Sequence, residues 1–231
     1  MSYSKSSARI EFESEALKLK NLAQKISYNY SPLSYDHKQL IFQSCIFLLC
    51  ARIEDYTKNF LENILYNYRT KGAKLKDLPE NTRIKTIIDH QKDHFKSFYN
   101  QEDEKKLIGK LSFSSNISYQ LIFDENPFTN QIRVGNIIAT NKYPSIKNLN
   151  KVYNRLGIDN ITSKINIKAS KDLKTSFESF LSLRESIAHQ STTSITIDDV
   201  KRHFLNVIEY INYIDRIVYS HICKTSKSIF W

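Results

Sequence analysis

Near its C-terminal end the chain reads Leu181-Ser182-Leu183-Arg184-Glu185-Ser186-Ile187-Ala188-His189, an arginine and a histidine with four residues between them. On a helix, at roughly 100° per residue and with Leu173 at zero, Phe177, Phe180, Ile187 and Ala188 fall within about 60° of it. Arg184 lies among them, at about 20°. A guanidinium keeps its proton, and burying it unpaired is costly. This one therefore calls for a carboxylate, a route to solvent, a subunit interface or an anionic ligand. His189 falls at about 160°, near Glu178 at about 140° and Glu185 at about 120°, in the last helical turn. An imidazole there can carry a proton near neutral pH, and a guanidinium can hold an anion beside it. The plainer alternative is an arginine tied to an acid on a neighbouring helix, with an exposed histidine at a helix end.

Other constellations carry less. Asp89, His90, Asp93 and His94 set two histidines at i and i+4, a spacing that can ligate a metal. The Glu of an HExxH pattern is missing, however, and no later ligand completes a set, so a solvated polar face is expected and no metal is assigned. His203 and His221 fall among polar neighbours of the last helix and take no special role. No GxGxxG, GxxxxGK[ST] or GxSxG pattern occurs, which removes support for kinase and esterase readings, and no cofactor is expected. Cys45 and Cys50 sit in an apolar helix and read as core. With Cys223 they make an odd, widely spaced set that suits reduced thiols in a cytoplasmic setting.

Charge is unevenly distributed. Lys+Arg number 34 against 24 Asp+Glu, a net +10 with a pI near 9.3. Residues 131–176 hold nine basic side chains against two acidic ones, so this segment carries +7 of the total. Lys147, Lys151 and Arg155 lie at its centre, with Tyr143 and Tyr153 among them. Clustered lysine and arginine suit a phosphate backbone, whose counterions each contact releases, and aromatic rings can stack on unpaired bases. Nucleic acid is the partner this pattern suggests; a merely solvated lysine-rich surface is the alternative.

The elements that must position these residues are helical. Only four Gly and four Pro among 231 residues argue against a turn-rich sandwich or barrel, and 41% hydrophobic content argues against wholesale disorder. A surface helix is expected from about Ala8 to Ile26, with Ile10, Leu17, Leu22 and Ile26 inward. A break at Ser31-Pro32 precedes a long helix from Asp36 to Tyr68. Shorter helices are expected over Asn81–Tyr99, Glu102–Leu111 and Ser145–Leu156, the last stopped by Gly157. Between Ser112 and Lys142 the period fails, and Ile132–Ala139 reads as a short strand or extended loop. The C-terminal pair is clearest: Lys171–Ala188, a polar link from Gln190 to Ser194, then Asp198–Cys223. This last helix opens on a Thr196/Asp199 capping box, with one stripe of Val200, Phe204, Val207, Ile208, Ile211, Ile214, Val218 and Ile222. The expected architecture is an all-α bundle, a single domain over residues 1–231 with a partly irregular basic insertion at about 112–170. Met1–Arg9 is polar with no apolar stretch behind it, and Leu40–Ile53 is too short and too polar to span a bilayer. No secretory signal and no membrane partner are expected.

Three stretches together are similar to a known family. Leu183-Arg184-Glu185-Ser186-Ile187-Ala188-His189 resembles the R-x4-6-H motif of the HEPN superfamily, in the R-N-x-I-A-H form of its RiboL-PSP-like branch. Leu48-Leu49-Cys50-Ala51-Arg52-Ile53-Glu54 resembles that branch's early helix, with its acidic residue after an apolar run. Asn148–Ile158 resembles its helix-plus-glycine element. The resemblance spans most of residues 40–215 and implies an all-α HEPN-like fold. It also implies a metal-independent endoribonuclease, a toxin or phage-defence effector, acting as a homodimer whose cleft is lined by both protomers. Carried over, Arg184 clamps the scissile phosphate and His189 moves the proton of the attacking 2′-hydroxyl, with Glu54, Glu185 and Ser186 supporting them. Glu185 departs from the Asn, Asp or His that the family usually has there. An antitoxin or regulatory protein is a further partner the resemblance implies. The second reading is a non-catalytic HEPN-like module that binds nucleic acid or a protein.

Overall fold

The computed structural model describes residues 2–28, 31–101, 107–109, 112, 116, 120–128, 130–138, 144–189 and 194–231, and within the helix that ends at Gln101 it leaves the side chains of residues 93, 94 and 97–101 undescribed. The expected Glu102–Leu111 helix and Gln190–Ser194 link therefore lie largely outside the described residues, as do Lys142 and Tyr143. Among the described residues these α-helices run in chain order: α1 (Ser7–Ser27), α2 (Tyr35–Thr70), α3 (Glu80–Gln101), α4 (Val134–Ile138), α5 (Ile146–Arg155), α6 (Ile161–Ala169), α7 (Leu173–Ala188) and α8 (Ile197–Thr225). No strand occurs among the described residues. None of their helices is long and apolar enough to cross a membrane.

Local chemistry explains most of the helix starts. Ser6, Ser34, Ser145, Asn160, Asp172 and Thr196 each stand before a helix and accept a backbone N–H from its first turn. Each satisfies one amide that the helix cannot bond itself. Thr196 and Asp199 form the expected capping box, the Thr196 amide donating to Asp199 at 3.1 Å and the reverse bond at 3.1 Å. Gly157 ends α5 with φ +78, and a Cβ there would lie 3.2 Å from both the Pro79 side chain and His221 Nε2. Both the left-handed backbone and the close approach of α3 and α8 require glycine at this corner.

Packing centres on α8, which touches α1, α2, α6 and α7. Its expected stripe is buried, with Ile208 half-buried and Tyr210 and Ile217 added to it. Tyr210 stacks on Phe177 of α7, ring centroids 4.3 Å apart, which locks the C-terminal pair together.

Two expectations are corrected. In α1 the buried face is Ala8, Phe12, Ala16 and Ala23, while Ile10, Leu17 and Leu22 are exposed. Small residues let α1 lie close against α2 and α8, so the largest apolar side chains were a misleading guide. Residues 134–138 form a short helix, its first turn held by Arg133 N–H on Asn136 Oδ1 and by buried Ile137. Between residues 144 and 170 lie α5 and α6, joined by a turn at 156–160, and Leu149, Val152, Tyr153, Ile161 and Ile165 belong to the core.

Candidate functional site

The site is built where α7 lies against the first half of α2. Leu173, Phe177 and Phe180 are buried on α7, Ile187 is half-buried, and Arg184 emerges half-buried in line with them. Its guanidinium carbon sits 5.0 Å from the centroid of the Phe47 ring, a cation–π contact. Cys50 lies within hydrogen-bond reach of Arg184, and burial pushes its thiol up to about 11 even though the nearby guanidinium opposes the shift. Such a thiol is protonated at neutral pH and serves as packing. Glu54 follows one turn later. Its carboxyl is raised by desolvation, with Arg184 pulling the other way and Asp55 adding to the rise.

Phe47, Cys50 and Glu54 stand at i, i+3 and i+7 and so form one face of α2. That face sets a ring and a thiol against the guanidinium, with the Glu54 carboxyl near enough to act on it by charge. Of these, Glu54 is foreseen from the sequence; Phe47 and Cys50 are not, although their spacing places them beside it. Leu40 (62% exposed), Ala51 and Leu48 (45% exposed) continue the apolar strip into solvent.

His189 forms the C-cap of α7, its amide donating to Glu185 O at 3.1 Å, and its ring is exposed. Glu185 is also exposed. Ser186 Oγ donates to Ser182 O at 3.0 Å, so its hydroxyl closes onto its own helix. Glu178, expected beside His189, is 3.8 Å from Lys174 in an exposed pair of small energetic weight.

The basic segment separates into surface and core. Lys147 and Lys151 are exposed one turn apart on α5. Arg155 turns inward and donates Nη1 to Ile137 O, tying α5 to α4, and burial lowers its pKa. Tyr153 is fully buried, so it offers no ring to a base. Lys171 and Lys174 are paired with Glu209 and Glu178. Lys168 has its ammonium pushed down by burial and then by the nearby Arg216 and Lys224, a convergence of cations from α6 and α8 that the linear pattern does not reveal.

The remaining histidines differ from expectation. His203 is buried against Phe180, ring centroids 6.2 Å apart, and burial lowers its pKa. His221 is half-buried beside Gly157, with its pKa also lowered by burial. Asp89 pairs with Lys85 and accepts from Asn136 Nδ2 at 3.4 Å, which joins α3 to α4, while the side chains of Asp93 and His94 lie outside the described residues. No cluster of three or more His, Cys, Asp or Glu that could hold a metal occurs among the described residues.

No curated protein and no solved structure matches this chain. A family model described as RiboL-PSP-HEPN matches residues 9–220, a span running from α1 through most of α8 and containing Glu54, Arg184 and His189. The all-α bundle is the fold this match entails, and the chain belongs to the RiboL-PSP-HEPN family.

Proposed function

We propose that the chain is a metal-independent endoribonuclease in which Arg184 and His189 act on one phosphodiester. The observation that carries the reading is Arg184 itself. Its guanidinium is oriented by Phe47 and faced by Glu54, and it stands on the same helix as an exposed histidine. His189 removes the proton of the 2′-hydroxyl, that oxygen attacks phosphorus, and the 5′-oxygen leaves with a proton returned by the imidazolium. Arg184 binds the non-bridging oxygens as their charge grows. Exposed Glu185 orients the imidazole, and Ser186 keeps the last turn closed.

A homodimer completes the site. The two side chains leave α7 about 140° apart, so one helix does not turn both to a single phosphate, and a second copy can supply the missing partner. Leu40, Phe47 and Ala51 form the apolar face that such a copy would cover. Lys147 and Lys151 on α5 guide the RNA backbone, with Arg155 bracing that helix from behind. The setting is cytoplasmic, the role that of a toxin or phage-defence effector, and an antitoxin or regulatory protein would hold it in check. The same divergence of Arg184 and His189 favours one second reading, a non-catalytic module that binds nucleic acid or protein.

The test is incubation of purified protein with total RNA, with and without EDTA. Cleavage persists in EDTA and falls about 100-fold or more in Arg184→Ala and in His189→Ala. Mixing these two inactive variants restores cleavage if the site is composed across protomers. Cleavage unchanged in either variant rejects the assignment, and no cleavage by the wild-type chain leaves the binding module.

A further inference from the structure

The second half of α2 borders a groove of about 510 Å³, closed on its other side by the segment that leads into α4. Leu65 and Ile132 are buried and form its floor. Tyr66 stands on one wall, 60% exposed, with Arg69 three residues further along the same helical face. Arg133 and Gly135 line the opposite wall. Both guanidiniums are exposed, and among the described residues neither is paired with a carboxylate. Arg69 rests on the Phe128 ring at 5.5 Å, and Arg133 donates to the Asn130 carbonyl at 3.4 Å. The one acid at the rim, Glu62, lies 3.9 Å from Lys58.

This groove lies about 28 Å along α2 from Phe47, at 1.5 Å per residue, and so is separate from the Arg184 site. Its volume falls within the range of small-ligand sites. An outward aromatic ring with cations on both sides matches one nucleotide of a single strand, base on ring and phosphate on guanidinium. Gly135 has an ordinary negative φ, and a Cβ there would meet nothing within 4 Å. The fold thus does not demand glycine at this point, yet any side chain would stand in the groove.

We infer that the Tyr66–Arg69–Arg133 groove is a nucleotide-binding subsite that anchors single-stranded RNA at a distance from Arg184 and His189. The inference rests on the reading that the chain binds RNA, and it does not require that the chain cleave it. The test is fluorescence anisotropy with a labelled 2′-O-methyl oligonucleotide, which has no free 2′-hydroxyl and reports binding alone. Tyr66→Ala, Arg133→Glu and Gly135→Leu each weaken binding about fivefold or more, and Arg133→Glu also flattens the salt dependence. Thermal melts stay at the wild-type position, because these side chains are on the surface. Unchanged affinity in Tyr66→Ala and Gly135→Leu overturns the subsite, even if Arg133→Glu weakens binding, because that leaves a charged surface only. Failure of the wild-type chain to bind the oligonucleotide overturns it as well. If the groove variants lose binding while Arg184→Ala still cleaves RNA, the catalytic assignment alone falls. If they bind normally while Arg184→Ala is inactive, the subsite alone falls.

Discussion

Asp215 and Arg184 are two of the charged groups drawn into this bundle, and their surroundings differ in kind. Asp215 of α8 is fully buried and receives the Tyr3 hydroxyl at 2.5 Å, the Ser6 hydroxyl and the Ser6 amide at 3.3 Å. Arg9 donates to the same Tyr3 hydroxyl and to Glu13 at 2.7 Å, so the network closes on itself and straps the N-terminal segment to the last helix. Arg184 of α7 is half-buried, held by the face of a ring and by groups on α2 that stop at the surface. The first arrangement spends its polar capacity on the fold. The second holds a cation in place at the boundary with solvent. Buried charge by itself therefore does not mark a site; what matters is whether its partners close around it inside the fold or end at the surface.

The largest effects test that contrast directly. Asp215→Ala leaves two hydroxyls and an amide without their acceptor in a buried place, and each such orphan costs about 1–3 kcal/mol. Stability should fall by about 3 kcal/mol in urea unfolding, while properly folded protein retains the cleavage of the wild type. Arg184→Ala should do the reverse, changing stability by about 1 kcal/mol or less through lost packing and cation–π contact while cleavage disappears. Equal destabilisation by the two substitutions would erase the distinction between a structural charge and a functional one.

The sequence makes these two sites unequally visible. Arg184 stands out because a cation at the centre of an apolar arc has few explanations, and His189 because of its helical distance from that arginine. Asp215 falls within the apolar stripe of α8, but its partners Tyr3 and Ser6 lie more than 200 residues away. Linear spacing carries no trace of such a contact. The same limit explains the errors in α1 and in the basic segment. Periodicity identifies a helix but does not say that Ala16 and Ala23 will be preferred over Leu17 and Leu22 where helices approach closely. A charge count cannot say that Arg155 turns inward to Ile137 or that Tyr153 is core. Helix ends were legible to within a few residues because capping is local chemistry: Ser34, Asp172 and Thr196 act on amides three residues away.

Phe47 offers a smaller and sharper probe, since it touches the guanidinium without having any chemistry of its own. Phe47→Ala removes the cation–π contact at 5.0 Å and frees Arg184 to turn. A contact of this kind contributes about 0.5–2 kcal/mol, which corresponds to a loss of up to about 30-fold. The loss should fall on kcat more than on KM, because orientation matters most as charge develops on the phosphate. Phe47→Tyr keeps a ring face and should restore most of the rate. A purely structural role would lower the melting temperature in Phe47→Ala without separating kcat from KM.

The smallest effect concerns His203, a titratable group in the α7–α8 contact with no part in the proposed chemistry. It is buried against Phe180, with Asp199 and Arg202 on its own helix as the charges that act on it. Burial lowers its pKa in the folded chain, with Arg202 lowering it further and Asp199 opposing. The unfolded chain accordingly takes up a proton at about pH 6.5, where the folded chain still resists it. Its contribution to stability is complete above that pH and is lost progressively as acidification proceeds towards the depressed folded value. His221, also lowered by burial, adds to the loss in the same direction. Urea midpoints should therefore fall between pH 7.5 and pH 5.5, and His203→Phe should flatten part of that fall while leaving the remainder due to His221. A wild-type slope retained in His203→Phe would mean that this ring takes up its proton as readily in the bundle as in the unfolded chain, and that the α7–α8 contact is more open to water at Phe180 than at Phe177 and Tyr210, whose stacked rings seal it one turn away.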